Sequence, residues 1–515
     1  MHTLTLSDTG SYCFLRFYLP VLWLVACSDS ESSPDRSGTF PPASRVAEVQ
    51  VSDPDSAVAW FAWSAAAFEE AERMGKPVLL YTTRVGCDGL FGGDDPLARW
   101  QAETRYIPVR VDPDRDPAVT RRYAPAGCPS LSILLHGGAE LVRATDIRRE
   151  NVPLLLSRMN EHLQKRRAVV EEKIRDVTRR APKHELSIAA VRQAADAAYD
   201  SRYGGFGGPV KFPETQVLAF LQELAIQAQD DGAGLMVQRT LDGLLASSVW
   251  AQHVQSLSYT PDWQTPRDEA FAADQAGMLF VLGRSAGASA NSQRAGQQLF
   301  DTIHSRWYDE ASGAFFSRSL AGAGPGQSQG RAERLIQADA NALLIRALLQ
   351  TGEVLERDAT ARRLALSAGE VLMAEMVGGE GSVRHTLGRD APWGLLRDQM
   401  LVALALNDLA QATGRADFAA TARKVRVWAD EYLWDHDSAQ FMDGPARSWP
   451  ASWEPLPHHA DDRAPSGTAV AAEAIAAAGD TSRALRILHA VRLVTPAARQ
   501  HAAATRQLLL LESSN

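Results

Sequence analysis

The 515-residue sequence is poor in cysteine. Its four cysteines are Cys13, Cys27, Cys87 and Cys128, and no two of them have the Cys-x-x-Cys spacing. So few cysteines exclude a disulfide framework, and the missing Cys-x-x-Cys pair excludes a zinc ribbon and the dithiol of an ordinary thioredoxin. We therefore expect no metal and no cofactor, and only Cys87 and Cys128 remain for the folded part.

Positive charge is not in excess either. The formal net charge is -9, and the longest basic cluster is Lys165-Arg166-Arg167. Proteins that bind nucleic acid neutralise phosphates with lysine and arginine, so nucleic acid is not an expected partner.

Long hydrophobic runs are missing, except for a short apolar stretch from Phe17 to Ala26 that ends at Cys27. It is too short for a membrane span and resembles the lipobox of bacterial lipoproteins, which is cleaved before a lipidated cysteine. We predict a lipoprotein-type signal over 1–26, a lipid anchor on Cys27 and a flexible tether over 27–45. The mature protein would face the bacterial periplasm and contact the membrane through its anchor. The alternative is an uncleaved leader on a cytoplasmic protein.

Residues 46–170 alternate between predicted helices and strands. The order is a helix over 61–75, a strand over 78–83, a helix over 96–104, a strand over 106–111, a hairpin over 128–144 and a helix over 150–165. This order is typical of the thioredoxin fold, with Cys87 at the nucleophile position, where a helix N-terminus would stabilise its thiolate. In that fold the proline corresponding to Pro129 is cis and faces the cysteine. Cys87 and Cys128 would then form a redox pair or a structural disulfide; the alternative is two unconnected thiols.

A short signature occurs three times in the rest of the chain. An aromatic residue precedes an aspartate, with a small residue four positions after the aspartate and a phenylalanine six positions after it. The copies are Tyr199/Asp200/Gly204/Phe206, Tyr308/Asp309/Gly313/Phe315 and Trp434/Asp435/Ala439/Phe441. Aspartate stabilises turns, the small residue tolerates a positive φ, and phenylalanine returns to the core. Repetition at fixed offsets indicates repeated structural units.

Hydrophobic periodicity predicts twelve helices between residues 185 and 515. They cover 187–199, 214–229, 232–252, 268–286, 293–307, 334–351, 357–377, 395–413, 416–433, 467–479, 480–493 and 496–512. Twelve helices make the six hairpins of an (α/α)6 toroid. The chain is thus predicted to be multidomain, with an α/β thioredoxin-like domain followed by an all-α toroid.

Several segments resemble the spermatogenesis-associated, bacterial "thioredoxin domain-containing" family, from about residue 50 to the C-terminus. They are Val58–Phe68, Gly75-Lys-Pro77, Tyr106–Asp112, Gly127-Cys-Pro129, Gly204-Gly-Phe-Gly207 with Lys211-Phe-Pro213, Glu269 with Asp274-Gln-Ala276, and Pro465-Ser-Gly467 with Val470-Ala-Ala472. The resemblance implies a thioredoxin-like half followed by a six-hairpin toroid like those of certain glycoside-processing enzymes.

The chain departs from this family at its characteristic positions. The family's Cys-His-Trp-Cys appears as Cys87-Asp-Gly-Leu90, its His-Phe-Glu as Arg267-Asp-Glu269, and its Trp-Asn as Ala340-Asn341. The chain therefore looks like a divergent member with a degraded thioredoxin motif.

Carboxylates at predicted helix starts or in loops are candidates to line the toroid cavity. They are Glu269, Asp274, Asp398, Asp461 and Asp462. Glycoside chemistry needs one protonated and one ionised carboxyl group, and Glu269 and Asp274 would not share a helix face. Helix capping is the ordinary alternative for such residues.

Aromatic and histidine residues near the loops are further candidates. Trp263, Trp393, Trp449 and Trp453 could stack on sugar rings or simply anchor the packing. His385 is placed for acid–base work, whereas His458-His459 is predicted to be a solvated loop.

Three functions remain open from the sequence. The first is a divergent thioredoxin-like protein with a thiol/disulfide role through Cys87, whose toroid binds an unknown small molecule or glycan. The second is a carbohydrate-active enzyme, a hydrolase or isomerase, that uses Glu269, Asp274 and Asp462. The third is a noncatalytic envelope scaffold.

Overall fold

The computed structural model describes residues 50–51, 58–84, 87, 89–91, 95–124, 128–145, 147–161, 163, 184–320, 334–388, 391–445, 456–493 and 498–513. The described residues form two compact units that divide between residues 181 and 182. The predicted signal, Cys27, the tether, Trp449 and Trp453 lie outside the described residues. None of the described helices has the length and hydrophobicity needed to cross a bilayer.

The N-terminal unit contains six strands and four helices among its described residues. The elements are β1 (Gln50–Val51), β2 (Trp60–Phe61), α1 (Ala65–Met74), β3 (Val78–Thr82), α2 (Pro96–Arg105), β4 (Ile107–Val111), α3 (Pro117–Tyr123), β5 (Ser130–Leu134), β6 (Glu140–Thr145) and α4 (152–161). The strands form one mixed sheet in the order β1-β2-β4-β3-β5-β6. The central strand β3 is parallel to β4 and antiparallel to β5, with Leu80 opposite Val109 and Ser132.

Both faces of this sheet are covered. Alternate residues of β3 enter two separate hydrophobic clusters: Leu79 packs in the cluster that contains residues of α2 and α4, and Leu80 in the cluster that contains residues of α1 and α3. A strand buried on both faces lacks polar alternation, which explains the continuous apolar run of β3. The unit is therefore a three-layer α/β/α arrangement.

Two sequence expectations for this unit are corrected. Helix α3 was not predicted; it starts at Pro117, the favoured first helical position, and buries Val119 and Tyr123. Helix α2 begins at Pro96 and is capped by Asp95, so Cys87 lies eight residues before that cap and not in the first turn of α2.

The C-terminal unit contains twelve α-helices among its described residues, the number predicted. They are α5 (Ile188–Ala198), α6 (Thr215–Gln227), α7 (Asp231–Leu245), α8 (Ala272–Ala286), α9 (Ala290–Thr302), α10 (Ala338–Thr351), α11 (Asp358–Val371), α12 (Leu396–Thr413), α13 (Ala416–Tyr432), α14 (Gly467–Ala477), α15 (Thr481–His489) and α16 (Ala502–Ser513). Short strands accompany them: β7 (His184–Glu185), β8 (Glu269–Phe271), β9 (Tyr308–Asp309), β10 (Ala314–Phe315), β11 (Arg318–Leu320), β12 (Trp434–Asp435), β13 (Gln440–Phe441) and β14 (Arg492–Leu493).

The even-numbered helices from α6 to α16 form a closed inner ring. Each contacts the next even-numbered helix, and α16 contacts α6. The odd-numbered helices α5 to α15 lie outside them, and the hairpins alternate between the two layers. Close approach within the ring requires small residues: a Cβ on Gly277 of α8 would lie 2.3 Å from Thr215 Oγ1 of α6. This arrangement is an (α/α)6 toroid.

The three signature copies fold as the sequence predicts. Each follows an outer helix (α5, α9 or α13) and pairs its aromatic residue with its phenylalanine in a short antiparallel turn. The small residues have positive φ angles of 71° at Gly204, 75° at Gly313 and 53° at Ala439. In each copy the aspartate carboxylate accepts from the backbone of the turn, and the phenylalanine is buried. The signature therefore connects every second outer helix to the next inner helix.

At the start of each of three inner helices, a buried side-chain amide holds a nearby backbone segment. The side chain of Gln275 accepts from Val254 N and donates to Val254 O. Asn341 does the same with Phe315, and Gln399 accepts from Val383 N and donates to Gly381 O. All three are completely buried, and each is the fourth residue of its helix. These amides fix the backbone beside the carboxylates described next.

Candidate functional site

Carboxylates occupy the first turns of three adjacent inner helices. Asp274 is the third residue of α8, Asp339 the second of α10 and Asp398 the third of α12. Free backbone N–H groups and the helix dipole favour negative charge at this position. The surrounding residues complete what we call the mouth cluster, the charged groups at the end of the toroid where the inner helices begin: Glu269, Asp274, Asp339, Asp398, Asp462, Arg267, Arg318, Arg397, Arg463 and His385.

Asp274 is paired with an arginine and has a raised pKa. Arg463 Nη1 donates to Asp274 Oδ2 at 2.8 Å, and the Arg463 guanidinium lies 3.9 Å from the centre of the Phe271 ring. Asp274 is 4% exposed, and burial raises its pKa to about 6. Arg463 opposes this shift, whereas the negative charges of Asp462 and Glu269 add to it. The three carboxylates that the sequence singled out therefore lie close enough to influence one another.

Glu269 does not begin a helix, contrary to the sequence prediction. It lies on β8, which pairs with β11 so that Glu269 faces Leu320, and α8 begins three residues later. Both its carboxylate and the Arg318 guanidinium are almost completely buried, 3.3 Å apart. Arg267 Nε lies 3.3 Å from its other oxygen. Two guanidinium groups therefore lie within 3.3 Å of this carboxylate.

Arg397 joins two further carboxylates. Its Nη1 donates to Asp462 Oδ1 at 2.7 Å and its Nε to Asp339 Oδ2 at 3.1 Å. The Asp462 side chain is 40% exposed, whereas those of Asp339 and Arg397 are buried. Arg397 thus links α10 and α12 to the loop that precedes α14.

His385 forms a buried pair with Asp398. His385 Nδ1 lies 2.9 Å from Asp398 Oδ2, and its Nε2 lies 3.2 Å from Gln337 Nε2. Burial disfavours the imidazolium, but Asp398 and Asp339 outweigh burial and raise the pKa of His385. Both ring nitrogens contact protein groups, so His385 reaches a ligand only if Gln337 moves.

Asp339, His385 and Asp398 have ligand atoms within 4.8 Å of one another, a spacing that suits a divalent cation. All three groups already have partners, because Arg397 binds Asp339 and His385 binds Asp398. A cation there would have to displace a guanidinium, and we assign no metal to these residues.

The loop before α14 is more ordered than the sequence indicates. His458, predicted to be solvated, is 7% exposed and its Nδ1 accepts from Gly467 N at 2.9 Å. His459 Nδ1 lies 3.0 Å from Thr468 Oγ1. The Asp461 carboxylate accepts from Ser466 N and Ala503 N, both at 2.8 Å, so it fixes the starts of α14 and α16. Desolvation nevertheless raises the pKa of Asp461 to about 7.

The described tryptophan candidates are packing residues. Trp263 is 1% exposed and donates from Nε1 to Tyr203 O at 3.1 Å. Trp393 packs edge-on against the buried Trp428, with ring centres 5.7 Å apart. Trp263 therefore presents no open face for a sugar ring, and Trp393 is half-buried.

A second charged group lies deeper along the inner helices. Each helix contributes one residue to this axial charge ring: Glu223, Arg284, Arg346, Asp408, Glu473 and Arg506. Arg346 contacts Glu473 at 2.6 Å and Asp408 at 2.9 Å, and Glu223 contacts Arg284 at 3.3 Å and Arg506 at 3.4 Å. The charges of the six residues balance.

A cavity of about 110 Å³ is lined by axial-ring residues together with Gly277 and Pro465. Typical ligand pockets have volumes of about 300–1,000 Å³. The cavity therefore has room for part of a ligand only.

Cys87 and Cys128 form a disulfide in the N-terminal unit, with Cα atoms 6.0 Å apart. Both cysteines are half-buried, and the Cys128–Pro129 peptide bond is cis. Leu90, at the family's second cysteine position, is 1% exposed and its N–H donates to Tyr81 Oη at 2.9 Å. The side chain that replaces the second cysteine is thus part of the core.

Sequence reasoning did not find the arginines of the mouth cluster. Arg318, Arg397 and Arg463 come from distant parts of the chain, and no spacing relates them. Asp339 was also missed, although a signal existed: an acidic residue occurs near the start of three successive predicted inner helices.

The chain is similar to two groups of known proteins. It is 24% identical over 322 residues to human spermatogenesis-associated protein 20 and 24% identical over 367 residues to the rat protein. These matches cover 53% and 61% of the chain but only 40% and 44% of the relatives, so the chain matches less than half of their length. No family model matches the chain.

Among solved structures, the chain is similar to cellobiose 2-epimerases. The enzyme from Bacillus thermoamylovorans has a TM-score of 0.51 at 8% identity, covering 63% of the chain and 98% of the enzyme. The enzyme from Spirochaeta thermophila has a TM-score of 0.50 at 11% identity, covering 64% and 96%. Identities this low show a shared (α/α)6 fold only. The chain is thus similar, at 24% identity, to the spermatogenesis-associated proteins, and its C-terminal unit shares the (α/α)6 toroid fold of the cellobiose 2-epimerases.

Proposed function

We propose that the toroid carries out acid–base chemistry on a sugar at the mouth cluster. The observation that supports this most is the raised pKa of Asp274, about 6, beside Glu269 and Asp462, which are paired with arginines. Carboxyl groups whose environments push their pKa values apart are the usual arrangement for one acid and one base.

Asp274 is the proposed proton donor, because a carboxyl group with a pKa near 6 is partly protonated at neutral pH. Glu269, held between Arg318 and Arg267, is the proposed ionised partner that accepts a proton or stabilises positive charge. This pair is compatible with hydrolysis or with isomerisation. The fold shared with cellobiose 2-epimerases supports a sugar as the substrate class, although fold alone does not fix an activity.

The test is a product screen on the full chain. Neutral monosaccharides and disaccharides are incubated with the protein, and NMR follows epimerisation, aldose–ketose isomerisation and glycoside hydrolysis. For any turnover found, Asp274→Asn should lower kcat by about 10²–10⁴-fold, the usual contribution of a general acid or base. The ionisation near pH 6 should disappear from the pH profile of the remaining activity.

Asp430→Asn is a matched control. Asp430 pairs with Arg483 at 2.7 Å, as Asp274 does with Arg463, but on an outer helix. The control variant should keep its activity. Absence of turnover with every sugar, or equal activity of Asp274→Asn and wild type, would contradict the proposal and would favour a binding or scaffold role.

We also propose a second function, thiol–disulfide exchange in a thioredoxin-like N-terminal unit. It is supported by the half-buried Cys87–Cys128 disulfide next to the start of β5. A thiolate of a partner dithiol would attack Cys87, form a mixed disulfide and release Cys128 as a thiolate. The second thiol of the partner would then release Cys87 and leave the partner oxidised.

Alkylation and intact mass, measured in dithiothreitol/disulfide buffers of graded potential, test this function. The disulfide of an exchange-competent pair should have a midpoint reduction potential well above about -300 mV. The midpoint potentials of structural disulfides usually lie below that value. Cys87→Ser should abolish mixed-disulfide formation. A bond that resists reduction until the unit unfolds would make it structural.

We further propose that Cys27 carries a lipid and anchors the protein to the bacterial envelope. The proposal rests on the Leu24-Val25-Ala26-Cys27 sequence after a short apolar stretch. Metabolic labelling with a fatty-acid analogue should mark the wild type and not Cys27→Ser. Equal labelling of the two forms would show that the lipid is not on Cys27, and no labelling of the wild type would favour the cytoplasmic alternative.

A further inference from the structure

The orientation of the Arg463 guanidinium is more restricted than that of an ordinary surface arginine. Its guanidinium lies over Phe271 on one face, at 3.9 Å, and Nη1 binds the buried carboxylate of Asp274 at 2.8 Å. A stacked and ion-paired guanidinium loses little further entropy when it binds another group. Its orientation is therefore fixed before any ligand arrives.

The Arg463 side chain still faces solvent and has unused donors. It is 32% exposed, and among the described residues its only hydrogen-bond partner is Asp274. An arginine carries five N–H donors, so most remain available for a ligand. Asp274 is similar: Oδ2 accepts from Arg463, and no described residue donates to Oδ1.

We infer that Arg463 and Asp274 together bind a hydroxyl group of an uncharged sugar, with Arg463 as a specificity-determining residue. This inference rests on the proposed sugar chemistry of the mouth cluster. A sugar hydroxyl both donates and accepts, so it can donate to the Asp274 carboxylate and accept from Arg463. A carboxylate or phosphate group on the ligand cannot donate to Asp274.

The charge of the mouth cluster favours an uncharged ligand. By its definition the cluster contains five carboxylates, four arginines and one histidine, so positive charge is not in clear excess. Recognition of an anionic sugar usually relies on such an excess, because like charges near the ligand are repulsive. Glu269 and Asp462, whose charges already raise the pKa of Asp274, would also repel an anionic ligand.

The axial cavity lies along the same chain segments. Gly277 follows Asp274 by three residues, Pro465 follows Arg463 by two, and both line the cavity of about 110 Å³. A small substituent such as a hydroxymethyl group fits that volume, whereas a second sugar ring does not.

The test measures sugar binding to the full chain by saturation-transfer NMR and calorimetry. The probes are mannose and cellobiose as neutral sugars, with glucuronate as the anionic one. Arg463→Lys keeps the charge but loses the planar donor fork, and it should weaken neutral-sugar binding on the order of tenfold or more. Phe271→Leu should weaken binding less, because it removes the stacking and keeps the ion pair.

Arg483→Lys is the matched control. Arg483 stacks on Trp434 at 4.2 Å and pairs with Asp430 at 2.7 Å, the same arrangement away from the mouth cluster. It should bind sugars as the wild type does, and all variants should keep the wild-type thermal unfolding temperature within a few degrees.

The outcomes separate this inference from the proposed function. Neutral-sugar binding that Arg463→Lys weakens and Arg483→Lys does not supports the inference. Sugar binding or turnover that Arg463→Lys leaves unchanged, or tighter binding of glucuronate than of neutral sugars, overturns the inference and leaves the proposed function standing. No binding of any sugar by the wild type overturns both.

Discussion

The Asp274–Arg463 pair of the mouth cluster and the Glu473–Arg346 pair of the axial charge ring shift the pKa of their carboxyl groups in opposite directions, although burial also raises the pKa of Asp408, which shares Arg346 with Glu473. Burial by itself acts to raise the pKa of both Asp274 and Glu473, because it disfavours the charged form of each carboxyl group. At Glu473 the attraction of Arg346, 2.6 Å away, with a further contribution from Arg506, outweighs burial and lowers the pKa below its ordinary value. At Asp274 the pKa stays near 6 although Arg463 is 2.8 Å away.

The difference lies in the neighbours, because the pair distances are almost equal. Arginines are the neighbours that act on Glu473, whereas Asp274 has Asp462 and Glu269 nearby in addition to its arginine. An ion pair alone therefore does not identify a functional site. Ion pairs in folded proteins are often structural, and a raised pKa gains weight only where other carboxylates lie close by, as Asp462 and Glu269 do at Asp274.

The strongest test of this comparison removes the arginine from each pair. Arg346→Met leaves the half-buried Glu473 and Asp408 without their shared cation, and it should lower the free energy of unfolding by about 2–3 kcal/mol. Arg463→Met should cost about 1 kcal/mol or less, because Asp274 already has a raised pKa and can take up a proton. Urea denaturation followed by circular dichroism measures both.

Equal losses of unfolding free energy in Arg346→Met and Arg463→Met would show that the Glu473–Arg346 and Asp274–Arg463 pairs do not differ in the way described. Arg483→Met, on the outer pair with Asp430, provides the baseline for losing an arginine that stacks on an aromatic ring.

The pH dependence of stability should also differ in sign between the two carboxylates. The folded-state pKa of Asp274, about 6, exceeds the value of 3.8 for an ordinary aspartate, so its contribution to the free energy of unfolding falls as pH rises from about 4 to 6. Asp274→Asn should remove this fall, worth about 1–3 kcal/mol. For Glu473 the pKa is lowered, so its contribution is present above pH 4.5 and is lost as pH falls.

Chemical denaturation at pH 4, 5, 6 and 7 tests both signs, with Glu473→Gln as the counterpart of Asp274→Asn. The Glu473→Gln variant should lose stability mainly above pH 4.5 and approach the wild type in acid. A pH profile of Asp274→Asn that is parallel to that of the wild type would contradict the pKa direction given for Asp274.

Sequence reasoning predicted the toroid better than its mouth because the two depend on different ranges of interaction. The signature turns are local: Asp309, Gly313 and Phe315 act within seven residues, so their offsets alone predict the turn. Helix number follows from hydrophobic periodicity, which is also local. Both sources of information are available in a single sequence.

The mouth cluster depends on contacts that cross the chain. Arg463 and Asp274 are 189 positions apart, and the pairing of β8 with β11 decides that Glu269 lies on a strand. No periodicity records such pairs, so the sequence identified the carboxylates but not their partners. The same holds for His458, which is buried because α14 packs its first residue Gly467 against it.

Within the mouth cluster, the two carboxylates bound to Arg397 should differ in their effect on stability. Asp339 is 7% exposed, and its contact with Arg397 is buried, so Asp339→Asn should cost about 1–2 kcal/mol through a weakened charged hydrogen bond. The Asp462 side chain is 40% exposed, where solvent screens an ion pair, so Asp462→Asn should change the free energy of unfolding by less than about 0.5 kcal/mol. An asparagine Oδ1 can still accept from Ala464 N, which Asp462 binds at 2.9 Å, so the turn before α14 is retained.

Because the charge of Asp462 also raises the pKa of Asp274, Asp462→Asn should shift the pH optimum of any sugar turnover downward while the protein stays folded. Denaturation curves and pH–rate profiles of the same two variants measure these effects, and an Asp462→Asn variant that loses as much stability as Asp339→Asn would show that its carboxylate is structural.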